Sequence, residues 1–182
     1  MCVRMFVATM ALLGTAGNVD AGPSWVVNHE TSHLEYAVDI GGMKTKGGFK
    51  DWSAEIDFDP KHPANGHVRV TIDVASVTIA DERAKAITES AWLSVSTHPK
   101  AVFESNAFNL EANGNLNVSG RLTLKGTEMP LTLSGTLLIE NGQAQADLSG
   151  VIMRLAHQIG VGQAIVSPEV VVNTTLTANL KP

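Results

Sequence analysis

Polar and aliphatic residues alternate along most of the chain, most clearly at residues 68–74, which read Val-Arg-Val-Thr-Ile-Asp-Val. Successive side chains of a β-strand point to opposite faces of the sheet, so this stretch predicts a strand with one aliphatic and one polar face. The pattern recurs at 34–40, 56–58, 116–125, 131–133, 144–148 and 172–180. The sequence therefore predicts about eight strands, each with one apolar face.

Short turn sequences separate these strands. Gly41-Gly42, Asn113-Gly114 and Asn141-Gly142 provide residues that readily adopt a positive φ angle, and a longer loop runs from Asp59-Pro60 to Asn65-Gly66. Asn-Gly and Gly-Gly pairs between alternating segments are typical of tight hairpins. Most neighbouring strands are therefore predicted to be antiparallel.

One segment departs from the pattern. Residues 81–93 are rich in Ala, Glu, Lys and Arg, and Ala86, Ile87 and Ala91 lie roughly at helical spacing. Asp81 is available as an N-cap. The sequence predicts one short helix over about 81–93, which ends before Pro99.

Antiparallel strands with one apolar face must stack as a sandwich or close into a barrel, and closure removes exposed edges. Eight strands form a barrel whose interior is either filled by side chains or holds one small ligand, as in lipocalins. Aromatic residues make up only 5% of the chain, and side chains of medium size leave a tube more easily than large ones. We therefore expect an all-β, eight-stranded antiparallel, lipocalin-like barrel with one short helix.

The N-terminal segment has a different character from the remainder. Arg4 gives it a positive start, Met5 to Ala16 is apolar, and small residues surround Ala21. This order is typical of a secretory signal peptide, whereas a membrane anchor needs roughly 20 apolar residues. Residues 1–21 are predicted to be cleaved from a single domain at 22–182. Cleavage would remove Cys2, the only cysteine, so no disulfide is expected in the mature chain.

Charge and motif content argue against several function classes. The formal net charge is -5, whereas binding to nucleic acid needs clustered Lys and Arg. His29 and His33 would share a strand face, but no third metal ligand stands at a convincing spacing. Asp57 and Asp59 form no evident acid–base pair, and no nucleophile elbow, P-loop or dinucleotide fingerprint is present. The sequence predicts no catalytic residue, metal site or cofactor, and a protein that is not an enzyme.

Several ordered blocks of residues follow the pattern of one protein family. They are Trp25, Ser32, Phe49-Xaa-Xaa-Trp52, residues 56–60, residues 70–77, Pro99 with residues 103–105, residues 120–126, residues 130–133, Arg154 and residues 159–163. In these blocks the chain resembles the YceI-like family over essentially its whole mature length. His157 stands where the family often has an aromatic residue, and Met153 replaces its usual aspartate.

The resemblance implies a periplasmic, lipocalin-like barrel that binds a polyisoprenoid or an isoprenoid quinone for storage or transport. Some relatives accompany b-type cytochromes, which implies the alternative of a stress-response or redox-partner protein whose surface contacts a membrane cytochrome. The oligomeric state, including a homodimer, is left open.

Inward-facing residues of the predicted strands are the candidate ligand contacts, and ordinary core packing is the alternative for each of them. They are Tyr36, Val38, Phe49, Trp52, Ile56, Val70, Ile72, Val74, Phe103, Phe108, Leu122, Leu124 and Leu176. A polar head group would need a cation near an irregular segment, for which Arg83, Lys85 and Arg154 are the candidates.

Overall fold

Residues 22–79 and 84–182 are described by a computed structural model, and they form a sheet of eleven strands. The strands are β1 (Ser24–Val27), β2 (His33–Ile40), β3 (Met43–Phe49), β4 (Trp52–Asp57), β5 (His67–Asp73), β6 (Val77–Ile79), β7 (Lys100–Leu110), β8 (Asn115–Leu124), β9 (Thr127–Glu140), β10 (Gln143–Met153) and β11 (Val166–Leu180). One helical turn, α1 (Ala84–Ile87), and 3-10 turns at Pro63–Asn65, Val74–Ser76 and Arg154–His157 complete these elements.

The sheet closes on itself. Its order runs β1-β4-β5-β7-β8-β9-β10-β11, and β1 also pairs with β11. The remaining three strands extend the same ring lengthwise. β2 follows β1 along β11, β3 pairs with β2, and β6 pairs with β3. Each of the pairs β1/β2, β3/β4 and β5/β6 thus occupies the place of one interrupted strand, so the eleven strands form eight barrel positions. This confirms the predicted all-β, eight-stranded antiparallel barrel.

The hairpins follow the predicted turn chemistry. Gly41 and Gly42 have φ angles of 60° and 84°, and Asn141 and Gly142 have φ angles of 51° and 77°. Two consecutive positive φ angles match the right-handed twist of the flanking strands. A further turn of the same kind, Lys125-Gly126, joins β8 to β9 with φ angles of 50° and 72°. This turn was not predicted from the sequence.

The predicted helix is shorter than expected. Its first residues, 81–83, lie outside the described part of the chain, and only Ala84–Ile87 form a helical turn. The chain then folds back, because the backbone N–H of Leu93 donates to the Ile87 carbonyl over 3.0 Å. The fold-back buries Leu93 against Val74 and Ala101. Burial of this side chain outweighs the helical propensity of residues 88–93.

Within the described residues, no helix is both long and apolar enough to cross a membrane.

The pairing of Tyr36 with Gly47 provides a test of packing in the wall. A Cβ atom at Gly47 would lie 2.2 Å from the Thr78 carbonyl oxygen and 2.4 Å from the Tyr36 ring. We expect Gly47→Ala to lower the free energy of unfolding by about 2 kcal/mol, since overpacking forces the neighbours to move. Urea titration followed by circular dichroism measures this effect. The adjacent variant Lys46→Ala, at an exposed position, is expected to change stability by less than about 0.5 kcal/mol. Equal stabilities of both variants would contradict this account.

Candidate ligand-binding cavity

The barrel encloses an elongated lumen that consists of two adjacent chambers. The first chamber has a volume of about 170 Å³, and the second about 280 Å³. Leu34, Ile72, Leu122, Ile152 and Val172 line both chambers and therefore mark their junction. Together the chambers fall in the range of roughly 300–1,000 Å³ that is typical of small-molecule sites.

The lumen is hollow because medium-sized side chains point into it. Leu133, Leu137, Leu148 and Leu176 face inward, yet each remains only partly buried. A filled core at native packing density would cover these side chains more completely. In the described residues, no charged side chain lines the first chamber. The interior therefore offers apolar surface to a ligand and very few polar partners.

Twelve of the thirteen candidate ligand contacts line this lumen, and so does the candidate cation Arg154. Trp52, Ile56, Val70, Phe103, Phe108 and Leu176 line the first chamber, Tyr36, Val38, Phe49, Leu124 and Arg154 line the second, and Ile72 and Leu122 line both. Val74 differs because the chain leaves the strand there and enters a 3-10 turn. Its side chain is 1% exposed and packs in the core, outside the lining of either chamber. Ligand contact by these residues stays a prediction.

The lining residues that were not predicted from the sequence include two groups. The first group follows the alternation of β9, β10 and β11 and could have been found from it: Leu131, Leu133, Leu137, Ile139, Ala144, Ala146, Leu148, Ile152, Val170 and Val172. The second group comes from irregular segments that fold over the second chamber: Ile87, Trp92, Leu93, Ile159 and Ile165. No local pattern identifies the second group, because only the tertiary fold brings these segments to the barrel.

Arg154 organises the segment that closes the second chamber. Its side chain is 4% exposed, and its Nε and both terminal nitrogens donate to backbone carbonyl oxygens. The acceptors are Ser167 (2.8 Å), Ile159 (2.7 Å), Gly160 (2.7 Å), Gln163 (3.0 Å) and Val166 (2.6 Å). A guanidinium has five N–H donors, so all of them are used.

The environment of Arg154 limits its part in head-group recognition. Desolvation by burial lowers the pKa of this guanidinium, but an arginine stays protonated in proteins. A ligand would have to displace one of the five carbonyl oxygens to receive a hydrogen bond from it. The other proposed cations, Arg83 and the side chain of Lys85, lie outside the described part of the chain.

The histidines do not form a metal centre in the described residues. His157 is 2% exposed, and its Nδ1 atom lies 3.2 Å from the Leu124 oxygen and 3.1 Å from the Thr127 oxygen. Both partners are acceptors, so Nδ1 carries the proton and donates to them. The ring thereby ties the turn after β10 to the β8–β9 hairpin. No three His, Cys, Asp or Glu residues in residues 22–79 and 84–182 are grouped to hold a metal ion.

A closed antiparallel barrel around a hollow, apolar lumen defines a lipocalin-like architecture. Comparison with known proteins shows which family with this architecture the chain belongs to. The family model described as the YceI-like domain matches residues 25–178. The chain belongs to the YceI-like family.

Individual relatives support the same assignment. A UPF0312 protein of Pseudomonas aeruginosa is 34% identical over 144 residues, which cover 75% of this chain and 74% of the relative. The protein YceI of Salmonella newport is 35% identical over 113 residues, or 62% of this chain. This match covers 56% of the length of the Salmonella protein. A match to a UPF0312 protein of Ectopseudomonas mendocina covers 57% of that relative, so the chain spans little more than half the length of both.

Solved structures share the fold. BcnA of Burkholderia cenocepacia superposes with a TM-score of 0.79 at 30% identity, over 84% of this chain and 99% of BcnA. A polyisoprenoid binding domain from Saccharophagus degradans has a TM-score of 0.65 at 12% identity, over 87% of this chain and 99% of that domain. At that identity the second likeness concerns the fold alone.

Proposed function

We propose that this protein binds a long-chain polyisoprenoid or isoprenoid quinone in its lumen and stores or transports it in the periplasm. The observation that carries the proposal is the apolar lumen, whose two adjacent chambers share five lining residues. Its elongated form fits an extended hydrocarbon chain better than a compact polar metabolite. The polyisoprenoid binding domain from Saccharophagus degradans shares this fold, so the architecture is compatible with this ligand class.

The hydrophobic effect supplies the driving force. Each methylene group removed from water contributes about 0.8 kcal/mol, so a prenyl chain gains affinity with every unit that enters the lumen. The cage of hydrogen bonds around Arg154 holds the covering segment in place, and a preformed site reduces the ordering cost of binding.

The N-terminal sequence supports the proposed location. Residues 1–21 have the order of a secretory signal peptide, and an exported lipid carrier would keep an otherwise insoluble chain dispersed in an aqueous compartment. Mass spectrometry of the N-terminus after expression in a Gram-negative host tests cleavage after Ala21. Association with a membrane cytochrome stays a prediction from the family resemblance.

Native mass spectrometry tests the proposed ligand directly. Protein purified from a bacterial host without detergent is expected to carry an additional mass that organic extraction releases as an isoprenoid lipid. Delipidated protein is expected to take up an added long-chain prenol. Protein that carries no lipid and takes up no prenol would contradict the proposal.

A further inference from the structure

The wall of the barrel is interrupted beside the first chamber. The hydrogen-bonded ladder between β1 and β4 ends at Trp25 and Ile56, and the ladder between β2 and β3 begins at Leu34 and Phe49. These ladders belong to the same seam, because β1/β2 and β3/β4 are interrupted strands of one barrel. Between the two points, the described residues show no strand pairing across the seam. The wall gap is therefore closed by side chains rather than by a ladder.

The loop at residues 28–32 lies beside the wall gap and is hydrogen-bonded to β11, on the side away from β4. The backbone N–H of Asn28 donates to the Thr177 carbonyl over 2.8 Å. The Ser32 hydroxyl accepts from the Thr177 N–H at 2.9 Å and donates to its carbonyl at 3.2 Å. Anchoring to β11 keeps residues 28–32 in place, and the seam towards β4 stays unpaired.

Trp52 separates the lumen from the outside at this point. Its ring lines the first chamber and also a groove on the outer face of the barrel. The His29 ring contacts it edge-on, with ring centroids 4.7 Å apart. Leu34 likewise lines both the first chamber and the groove, and Phe49 lines the groove and the second chamber. These three side chains therefore stand between the groove and the lumen.

The groove has the polar character that the lumen lacks. It has a volume of about 500 Å³, and its lining includes Lys46, Lys50, His29 and His33, with Glu35 as the one carboxylate. In the described part of the chain, neither lysine forms an ion pair. Two ammonium groups with free donors and two imidazoles therefore face one concave site next to an apolar tube.

We propose that this groove, which we call the head-group groove, binds an anionic head group of the phosphate type whose prenyl tail passes Trp52 into the first chamber. The proposal rests on the function proposed above and locates the polar end of the ligand. Lysine binds phosphate as a point charge, and hydrogen bonds to an ionised acceptor are about twice as strong as neutral ones. Arg154 does not fill this role, because carbonyl oxygens occupy all its donors.

Farnesol and farnesyl diphosphate distinguish tail binding from head-group binding. In calorimetric titrations at physiological salt, the wild-type protein is expected to bind the diphosphate about tenfold more tightly than the alcohol. The double variant Lys46→Glu/Lys50→Glu is expected to lose this preference and to bind farnesol unchanged. The double variant Lys44→Glu/Lys61→Glu changes the net charge equally, outside the groove lining, and is expected to keep the preference.

Each other outcome has a defined meaning. Equal affinities of the wild-type protein for both ligands would overturn the head-group groove and leave the lumen proposal intact. Retention of the preference in Lys46→Glu/Lys50→Glu would also overturn it. Loss of the preference in both double variants would overturn it as well, because long-range charge would then explain the effect. Failure of the wild-type protein to bind either ligand would count against the proposed function itself.

Trp52 provides a second readout. Farnesyl diphosphate is expected to change the tryptophan emission of the wild-type protein, and Trp52→Phe is expected to lose most of that change while calorimetry still detects binding. Trp25 and Trp92 also line the chambers and account for the residual change expected in this variant. An unchanged emission response in Trp52→Phe would overturn the passage of the tail beside this ring.

Discussion

Replacing Val172 by tryptophan is expected to weaken binding of long prenyl chains about 100-fold, which corresponds to about 2.7 kcal/mol. Val172 points into the lumen and lines both chambers, so it lies where an extended ligand must pass. An indole at this point would divide the tube into two short compartments. A long chain would then lose the contacts of one whole chamber, because binding follows the apolar area removed from water.

The adjacent residue supplies a matched control for this experiment. Val171 is the same residue type on the same strand, but its side chain points outward and is 36% exposed. Val171→Trp is expected to bind long prenols with unchanged affinity. Titration of delipidated protein with a long-chain prenol measures both variants, and circular dichroism verifies that both are folded. Equal affinities in the two variants would show that the ligand does not run through the junction.

Replacing Arg154 by methionine is expected to lower the free energy of unfolding by about 4 kcal/mol. Methionine preserves much of the side-chain volume but removes five donors from a buried cluster of carbonyl oxygens. A buried carbonyl without a partner costs about 1–3 kcal/mol, and partial access of water to the loosened segment reduces the sum. The loss also frees the segment that covers the second chamber.

Arg121 is a suitable control for this substitution. It is exposed and forms an ion pair with Glu128 on the next strand. Arg121→Met is expected to cost less than about 1 kcal/mol, because exposed ion pairs contribute little. Arg154→Lys retains the charge but has only three donors, so an intermediate loss is expected. Urea titrations determine all three values, and a loss below 1 kcal/mol in Arg154→Met would contradict a structural role for the guanidinium.

Local pattern was sufficient to predict most of the long strands and part of the lining of the lumen. Val70 and Ile72 were identified from period-two alternation alone, and both line the cavity. The prediction succeeded because the side-chain direction in a strand depends only on the parity of the position. The prediction that Val74 lines the lumen was wrong. Asp73 accepts a hydrogen bond from the Ala75 N–H, and the chain turns out of the strand at this point. After such a turn, an even or odd position no longer predicts which face of the sheet a side chain occupies.

The covering segments were beyond local prediction. Residues 84–93 have helical composition, but Leu93 is drawn into the core and the helix ends at Ile87. Arg154 was identified as a candidate cation, whereas its five carbonyl partners come from residues 159–167, which have no periodic pattern. A hydrogen-bonded cage of this kind depends on how an irregular loop folds back on itself.

The sequence by itself determined the faces of the strands, the positions of the main hairpins and the apolar character of the interior, because each depends on residues that are neighbours along the chain. Only the tertiary structure decided that the sheet closes and that its centre stays open. It also decided that one seam lacks a ladder beside Trp52. These properties depend on register and packing between residues far apart in sequence, such as Trp25 with Leu180 and Leu34 with Thr174. Alternation along a strand carries no information about that register or about the volume it encloses.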